Sequence, residues 1–216
     1  YTLNLAHADR VETVRVGPIE IYNPAVVEDQ LKLVEALVTA QEIATAVPSV
    51  NFYKSDAPGS IHRLLAQAIV QKLAGKGPRA VIYAAENNNH AAELLTEAVM
   101  SELDAATQSQ VSTVACFANT VLIKMCGILP ATEQLPAIAP TYPRAFLVEV
   151  HNRIQISTIH FSEQTNPQSA IRNSQFNRGI TIFEEKSDLL PFEEAKLYTL
   201  NGVHAVGAYI GAQLGF

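Results

Sequence analysis

The sequence predicts an α/β fold built on a doubly wound parallel sheet, present only in part, followed by the start of a mostly helical second domain. Two observations lead to this prediction. Helical patterns and β-prone runs alternate three times before residue 125, which is typical of strands joined by crossover helices. The β-prone runs are largely apolar along their whole length, as expected of parallel strands that are covered on both faces.

The predicted elements follow in order along the chain. Two short β-prone runs, 11–16 and 19–22, flank the turn signal Gly17-Pro18. Apolar residues then recur at helical spacing in three segments, and each segment precedes an apolar run that predicts a buried strand. The predicted helices cover 25–40, 61–73 and 91–103, and the strands that follow them cover 42–47, 80–85 and 111–118.

The regular alternation weakens beyond this point. A proline-rich stretch, 127–143, predicts a long connection. It is followed by β-prone runs at 146–150 and 154–159 and by a helix that begins at Phe192. We therefore expect a domain boundary near residue 125.

Composition argues against several classes of function. The net charge is -6 and the 15 Lys and Arg residues are scattered, so the sequence offers no basic surface for nucleic acid. Apolar runs are far shorter than the roughly 20 residues of a membrane span, so no membrane partner is expected. Cys116 and Cys126 lie in apolar segments and are expected to be buried free thiols, which favours a cytoplasmic location. The sequence does not specify an oligomeric state.

Three polar side chains share one arc of the last predicted helix. Lys196, Asn201 and His204 are five and three positions apart, which corresponds to roughly 140° and 300° of rotation at about 100° per residue. An ammonium, an amide and an imidazole could therefore meet at one hydroxyl group of a small polar ligand. The apolar, glycine-spaced surroundings predict close packing around this helix. The alternative is a solvated polar face, which is common for such residues.

The same helix carries a family motif. Residues 196–204 read Lys-Leu-Tyr-Thr-Leu-Asn-Gly-Val-His, and in this Lys-x4-Asn-x2-His pattern the chain resembles the polyol-specific long-chain dehydrogenases of the mannitol dehydrogenase type, their mannitol 1-phosphate enzymes in particular. Thr45-Ala46-Val47 resembles the loop after a strand of that family's cofactor domain, and Glu86-Asn87 resembles its Glu-Asn element. The resemblance implies a partial, Rossmann-type dinucleotide-binding domain over 1–125. It also implies that 126–216 contains a linker and the start of a helical substrate-binding and catalytic domain.

The resemblance further implies roles for individual residues. Lys196 would be the base that takes the hydroxyl proton while the substrate carbon passes hydride to NAD, with NADP as the alternative cofactor. Asn201 and Asn87 would donate to the developing oxyanion, and His204 would position substrate hydroxyls or orient Lys196. Thr45-Ala46-Val47 would contact the cofactor. The other histidines show no ligand spacing, so no metal is predicted.

Departures from the family pattern leave alternatives open. The Gly-x-Gly-x-x-Gly turn that cradles the pyrophosphate is not in the chain, so we expect it in a preceding segment of roughly fifty residues. The family commonly carries an Asp-Arg pair where this chain reads Leu122-Ile123-Lys124, so mannitol, mannitol 1-phosphate and a hexuronate are alternative substrates. Asn87, which is followed by Asn88 and Asn89, also fits a helix N-cap region.

A different class of function also fits the sequence. A catalytically degenerate homologue would bind a nucleotide or a sugar without turnover, or would use the fold as a scaffold.

Overall fold

The structure is a computed structural model that describes residues 2–123, 126–162 and 178–215. The chain divides into two compact units. The first contains the chain up to Ile21 together with Ile123–Ile154, and the second contains Tyr22–Leu122 and the chain from Gln155 onward. Within the described residues, no helix has the length and apolar character needed to cross a membrane.

The secondary structure alternates as predicted in the second unit and is mostly β in the first. In chain order the strands of the described residues are β1 (Thr2–Ala6), β2 (Val11–Arg15), β3 (Glu42–Thr45), β4 (Ala80–Ala84), β5 (Ala115–Val121), β6 (Cys126–Pro130), β7 (Arg144–Val148), β8 (Ile154–Ser157) and β9 (Phe183–Lys186). The helices are α1 (Val27–Thr39), α2 (Ile61–Leu73), α3 (Ala91–Met100), α4 (Ala105–Gln108), α5 (Leu190–Ala195) and α6 (Gly202–Leu214). A π-helical turn, Lys196–Asn201, joins the last two helices.

The first unit is a four-stranded sheet in the order β2-β1-β7-β6. β1 pairs antiparallel with β2 and parallel with β7. The predicted strand at 19–22 is therefore wrong, because the turn closed by the backbone hydrogen bond from His7 to Arg10 pairs β2 with the preceding segment instead. Cys126 is exposed rather than buried, since β6 is an edge strand with all its residues exposed.

The second unit contains a five-stranded sheet in the order β3-β4-β5-β8-β9. β3, β4 and β5 are parallel, and Thr45 lies opposite Ala84, which in turn lies opposite Asn119. The carboxyl ends of these strands therefore meet at one edge of the sheet. β8 pairs antiparallel with β5. The predicted α/β fold with a parallel sheet is confirmed.

The core of the second unit lies between the sheet and the helices α2 and α3. Every residue of β4 is buried, as the continuous apolar run Ala-Val-Ile-Tyr-Ala predicts. Leu65 and Ile69 of α2 pack with Ile82 of β4 and with Leu95 and Val99 of α3. This packing holds the ends of the parallel strands in fixed positions.

The strand predicted at 111–118 begins later than predicted. Asp104 caps α4 by accepting a hydrogen bond from the Thr107 backbone, and a 3-10 turn follows over Val111–Thr113. Val111 and Val114 still face the core, at 1% and 5% exposure, but they do so from the turn. The apolar pattern therefore identified core residues correctly and placed the start of the strand too early.

The grouping of the chain also differs from the predicted division at residue 125. The stretch expected as a long connection, 127–143, contains most of β6, which pairs with β7. β7 overlaps the β-prone run predicted at 146–150, and it pairs with β1, which joins the start of the chain to this unit. The description of 1–125 as a dinucleotide-binding domain and of 126–216 as the start of a catalytic domain stays a prediction.

Candidate active site

A buried carboxylate organises the edge of the sheet where β3 and β4 end. Glu86 lies two residues beyond β4 and is only 4% exposed. Its carboxylate accepts hydrogen bonds from the Thr45 hydroxyl at 2.8 Å, from the Val47 backbone N–H at 2.9 Å and from the Tyr53 hydroxyl. Burial above all, and then the hydrogen bond to Glu86, raise the pKa of Tyr53, so the phenol stays protonated and can donate.

These contacts decide what the predicted cofactor residues can do. Thr45 is 7% exposed and its hydroxyl is engaged by Glu86. Val47 is half-buried and gives its backbone N–H to the same carboxylate. Ala46, between them, is exposed. In the predicted segment, Ala46 is therefore the accessible residue, while its neighbours fix the shape of the loop.

Lys196 and Asn87 meet at the same edge, although they are 109 positions apart in the chain. The Lys196 Nζ donates to the Asn87 Oδ1 at 2.5 Å, a hydrogen bond that is charge-assisted when the amine is protonated. Because Oδ1 faces the ammonium, the Asn87 amide nitrogen is the group that can donate to another oxygen. The N-cap residue of α3 is His90, whose backbone N–H donates to the Asn88 Oδ1, so Asn87 is not the cap of that helix. The functional role of Asn87 stays a prediction.

The environment of Lys196 changes its acidity. Burial lowers the pKa of the ammonium from its ordinary value, and the carboxylate of Glu193, one helical turn earlier, raises it. Burial is the larger effect. Lys196 therefore releases its proton more readily than an exposed lysine.

The helix around Lys196 is not regular. The Gly202 backbone N–H donates to the Leu197 carbonyl, five residues earlier, and the Thr199 hydroxyl donates to the Ala195 carbonyl. A π turn contains more residues than an α-helical turn, so Asn201 lies about one turn beyond Lys196 and the predicted 140° rotation does not hold. Such turns are frequent at functional sites.

The structure joins Lys196 to Asn87 but not to the other residues of the motif. Asn201 and His204 are exposed, and the hydrogen bonds within the described residues do not connect their side chains to Lys196. The predicted close packing around this helix is also not found there, because α5, the π turn and α6 contain no buried residue. The roles of Asn201 and His204 stay predictions.

Two further points concern charged groups. Lys124, considered as a replacement for the family's Asp-Arg pair, lies outside the described residues. Within the described ranges, no group of three or more His, Cys, Asp and Glu side chains could hold a metal ion.

Sequence reasoning missed Glu86 and Tyr53 as parts of the site. Glu86 was noted only as the neighbour of Asn87. A carboxylate directly after the fully apolar strand β4 was an available signal, because an acidic residue at that depth needs donors around it. No comparable signal marked Tyr53, whose partner lies 33 positions away.

The chain is similar in sequence, over its whole length, to enzymes of known name. No family model matches the sequence. The mannitol-1-phosphate 5-dehydrogenase of Bacillus pumilus is 28% identical, with 100% of this chain and 49% of that protein covered. The protein of the same name from Brevibacillus brevis is 26% identical and also covers all of this chain. The chain thus spans about half the length of the curated relatives it matches.

Solved structures agree at the level of the fold. A D-sorbitol dehydrogenase in substrate-free form superposes with a TM-score of 0.68 and 13% identity, over 100% of this chain and 48% of its own. The mannitol 2-dehydrogenase of Pseudomonas fluorescens, in a ternary complex with NAD and D-mannitol, gives a TM-score of 0.62 and 14% identity, over 98% of this chain and 46% of its own. The predicted resemblance is therefore confirmed: the chain is similar over its whole length to mannitol-1-phosphate 5-dehydrogenases, and its fold is that of the two solved polyol dehydrogenases.

Proposed function

We propose that the whole protein is an oxidoreductase that transfers hydride between a polyol or its ketose and a nicotinamide cofactor. The observation that carries this proposal is the contact between Lys196 and Asn87 at the carboxyl edge of the parallel sheet. Ligands of open parallel sheets bind outside the carboxyl ends of the strands. The mannitol-1-phosphate 5-dehydrogenases related to this chain add the reaction class.

The residues present fit the nicotinamide side of such a cofactor. Ala46 is exposed just after β3, and Asn87 is exposed beyond the end of the neighbouring strand β4, so both residues are accessible to a ligand at this edge of the sheet. Glu86 fixes the loop after β3 from the protein side. A bound nicotinamide would supply the hydride acceptor for oxidation of the substrate carbon and the hydride donor for the reverse reduction. NAD is the cofactor that we propose, with NADP as the alternative.

Lys196 acts on the substrate hydroxyl in this proposal. The neutral amine of Lys196 takes the hydroxyl proton, and the lowered pKa increases the fraction of neutral amine near neutral pH. The Asn87 amide nitrogen donates to the substrate oxygen as negative charge develops on it. In the reverse direction the Lys196 ammonium returns the proton to the forming alkoxide. Asn201 is assigned a second donor role and His204 the positioning of substrate hydroxyls.

The substrate that we propose is a small polyol or sugar phosphate of the mannitol type. Mannitol 1-phosphate is favoured by the names of the curated relatives, and mannitol or a hexuronate would use the same chemistry at a secondary alcohol. These relatives are named as dehydrogenases, which gives no support to the alternative of a degenerate binding protein or scaffold.

The direct test is a substrate panel assayed with the full-length protein. Mannitol, mannitol 1-phosphate, sorbitol and their ketoses, together with hexuronates, would be measured with NAD(H) and with NADP(H) at 340 nm. We expect turnover of one polyol–ketose pair, with NAD(H) preferred. Absence of turnover on the whole panel, in a protein that binds NADH, would instead support the degenerate homologue.

A further inference from the structure

We infer that Glu86 is a positioning residue for the proposed dehydrogenase site, because its carboxylate fixes both the loop after β3 and the segment that carries Asn87. This inference rests on the proposed function and adds a residue to it. Glu86 touches neither of the proposed catalytic groups directly. It acts through the backbone on either side of the site.

The contacts of Glu86 join three segments of chain. Thr45 is the last residue of β3, Val47 belongs to the loop that follows, and Tyr53 follows a 3-10 turn and packs into the core at 1% exposure. One carboxylate thus connects the end of β3, the core and the segment after β4. An ionised carboxylate offers only acceptor sites, so it can satisfy all three donors together.

The amide analogue holds these groups less strongly. Replacing Glu86 by Gln keeps the size of the side chain but puts an NH2 group where one carboxylate oxygen stood. That NH2 group would face either the Val47 N–H and its neighbours or the Thr45 and Tyr53 hydroxyls. The first arrangement places two donors against each other, and the second turns the hydroxyls into acceptors and replaces charge-assisted hydrogen bonds with weaker neutral ones. In either case we expect the loop after β3 and the 86–87 segment to shift or loosen.

The consequence for the site follows from chain connectivity. Asn87 is bonded to Glu86, and its Oδ1 holds the Lys196 ammonium at 2.5 Å. A displacement of the 86–87 backbone therefore moves the proposed base and its amide partner together. Because a misplacement of about 1 Å can cost roughly 100-fold in rate, we expect Glu86→Gln to lower kcat about 10- to 100-fold.

The chain offers a matched control at the opposite edge of the same sheet. Glu42, the first residue of β3, also accepts three hydrogen bonds: from the Tyr83 hydroxyl at 2.9 Å and from the backbone N–H groups of Gly179 at 2.6 Å and Ile180 at 3.0 Å. Glu42→Gln makes the same chemical change at a carboxylate with the same kinds of donors. It is not next to the proposed catalytic residues.

The experiment compares the two variants in the full-length protein by steady-state kinetics, thermal unfolding and amide hydrogen exchange. For Glu86→Gln we expect faster exchange in peptides covering 45–47 and 86–87, lower kcat and higher KM for NAD. For Glu42→Gln, at a similar fall in thermal midpoint, we expect unchanged exchange in these peptides and unchanged kinetic constants. Tyr53→Phe, which leaves two donors on the carboxylate, should fall between wild type and Glu86→Gln.

The outcomes separate this inference from the proposed function. An inactive wild-type protein contradicts the proposed function, and the exchange comparison then still decides whether Glu86 fixes the two segments. Unchanged exchange at 45–47 and 86–87 in Glu86→Gln overturns the inference, whether or not the wild type is active. Equal kinetic losses in Glu86→Gln and Glu42→Gln would also overturn it, since they would reflect general destabilisation.

Discussion

Replacing Lys72 by Met tests how a buried cation contributes to the stability of the second unit. Lys72 is 2% exposed, and its ammonium donates to the backbone carbonyls of Val38, Ala40 and Pro78 at 2.7 to 2.8 Å. It thereby connects α2 to the end of α1 and to the segment before β4. Met has a similar length and no donor, so the substitution leaves all three carbonyls without this partner.

Two opposing effects set the size of the change. Burial lowers the pKa of Lys72 from 10.5 to about 8, which corresponds to about 3 kcal/mol of cost for holding the charge at neutral pH. The Met variant avoids this cost but removes the donor from one buried and two partly buried carbonyls, at about 2 kcal/mol each. We therefore expect the free energy of unfolding at pH 7 to fall by about 2 to 3 kcal/mol.

The pH dependence has a definite sign. The native state holds the Lys72 proton less tightly than the unfolded state. Burial of the charge therefore lowers the free energy of unfolding by its full amount below pH 8, and this loss becomes smaller as the pH rises from 8 to 10.5. The advantage of wild type over Lys72→Met should increase across this window, by at most about 1.4 kcal/mol per pH unit. Urea unfolding at pH 7, 8.5 and 10 measures it. An advantage that is constant or shrinks with rising pH would refute this reasoning.

Two further predictions concern catalysis. Asn87→Ala should lower kcat roughly 100- to 1000-fold, because it removes a donor to the developing oxyanion. The thermal midpoint should stay near that of wild type, since the side chain is exposed. Steady-state kinetics and thermal unfolding check the two expectations, and a normal kcat would contradict the role of Asn87. Glu193→Gln removes the charge that raises the pKa of Lys196, so the rise of kcat/KM with pH in polyol oxidation should occur at lower pH than in wild type. A pH–rate profile that is unchanged or moves to higher pH would argue against Lys196 as the titrating base.

The sequence predicted the parts of the fold that depend on local periodicity. The helical spacing of Leu64, Leu65, Ile69 and Leu73 predicted α2 with the observed bounds, and the apolar run at 80–85 predicted β4 to within one residue. The strand predicted at 19–22 was wrong, because β-prone residues beside a turn signal form a strand only where a partner is available, and β2 pairs with β1 instead.

Some features of the candidate site can be predicted from family motifs in the sequence, whereas others are contacts that only the fold creates. The motif around Lys196 and the Glu86-Asn87 element were visible in the sequence through the family resemblance, but their contact across 109 positions is a product of the fold. The π turn was not predictable, since its extra residue leaves no mark in the hydrophobic pattern. Lys72 and Glu86 are of charged residue types that usually lie at the surface. Both are buried here, because distant segments supply carbonyl acceptors for Lys72 and hydrogen-bond donors for Glu86.

The central claim is that Lys196 transfers the proton, and substitution to Arg tests it most directly. Arginine keeps a positive charge that can reach Asn87, but it does not deprotonate in proteins and so cannot act as a base. We expect Lys196→Arg and Lys196→Ala alike to lose roughly 100-fold or more in polyol oxidation, with NADH binding and the thermal midpoint retained. Turnover near that of wild type in either variant would contradict the assignment.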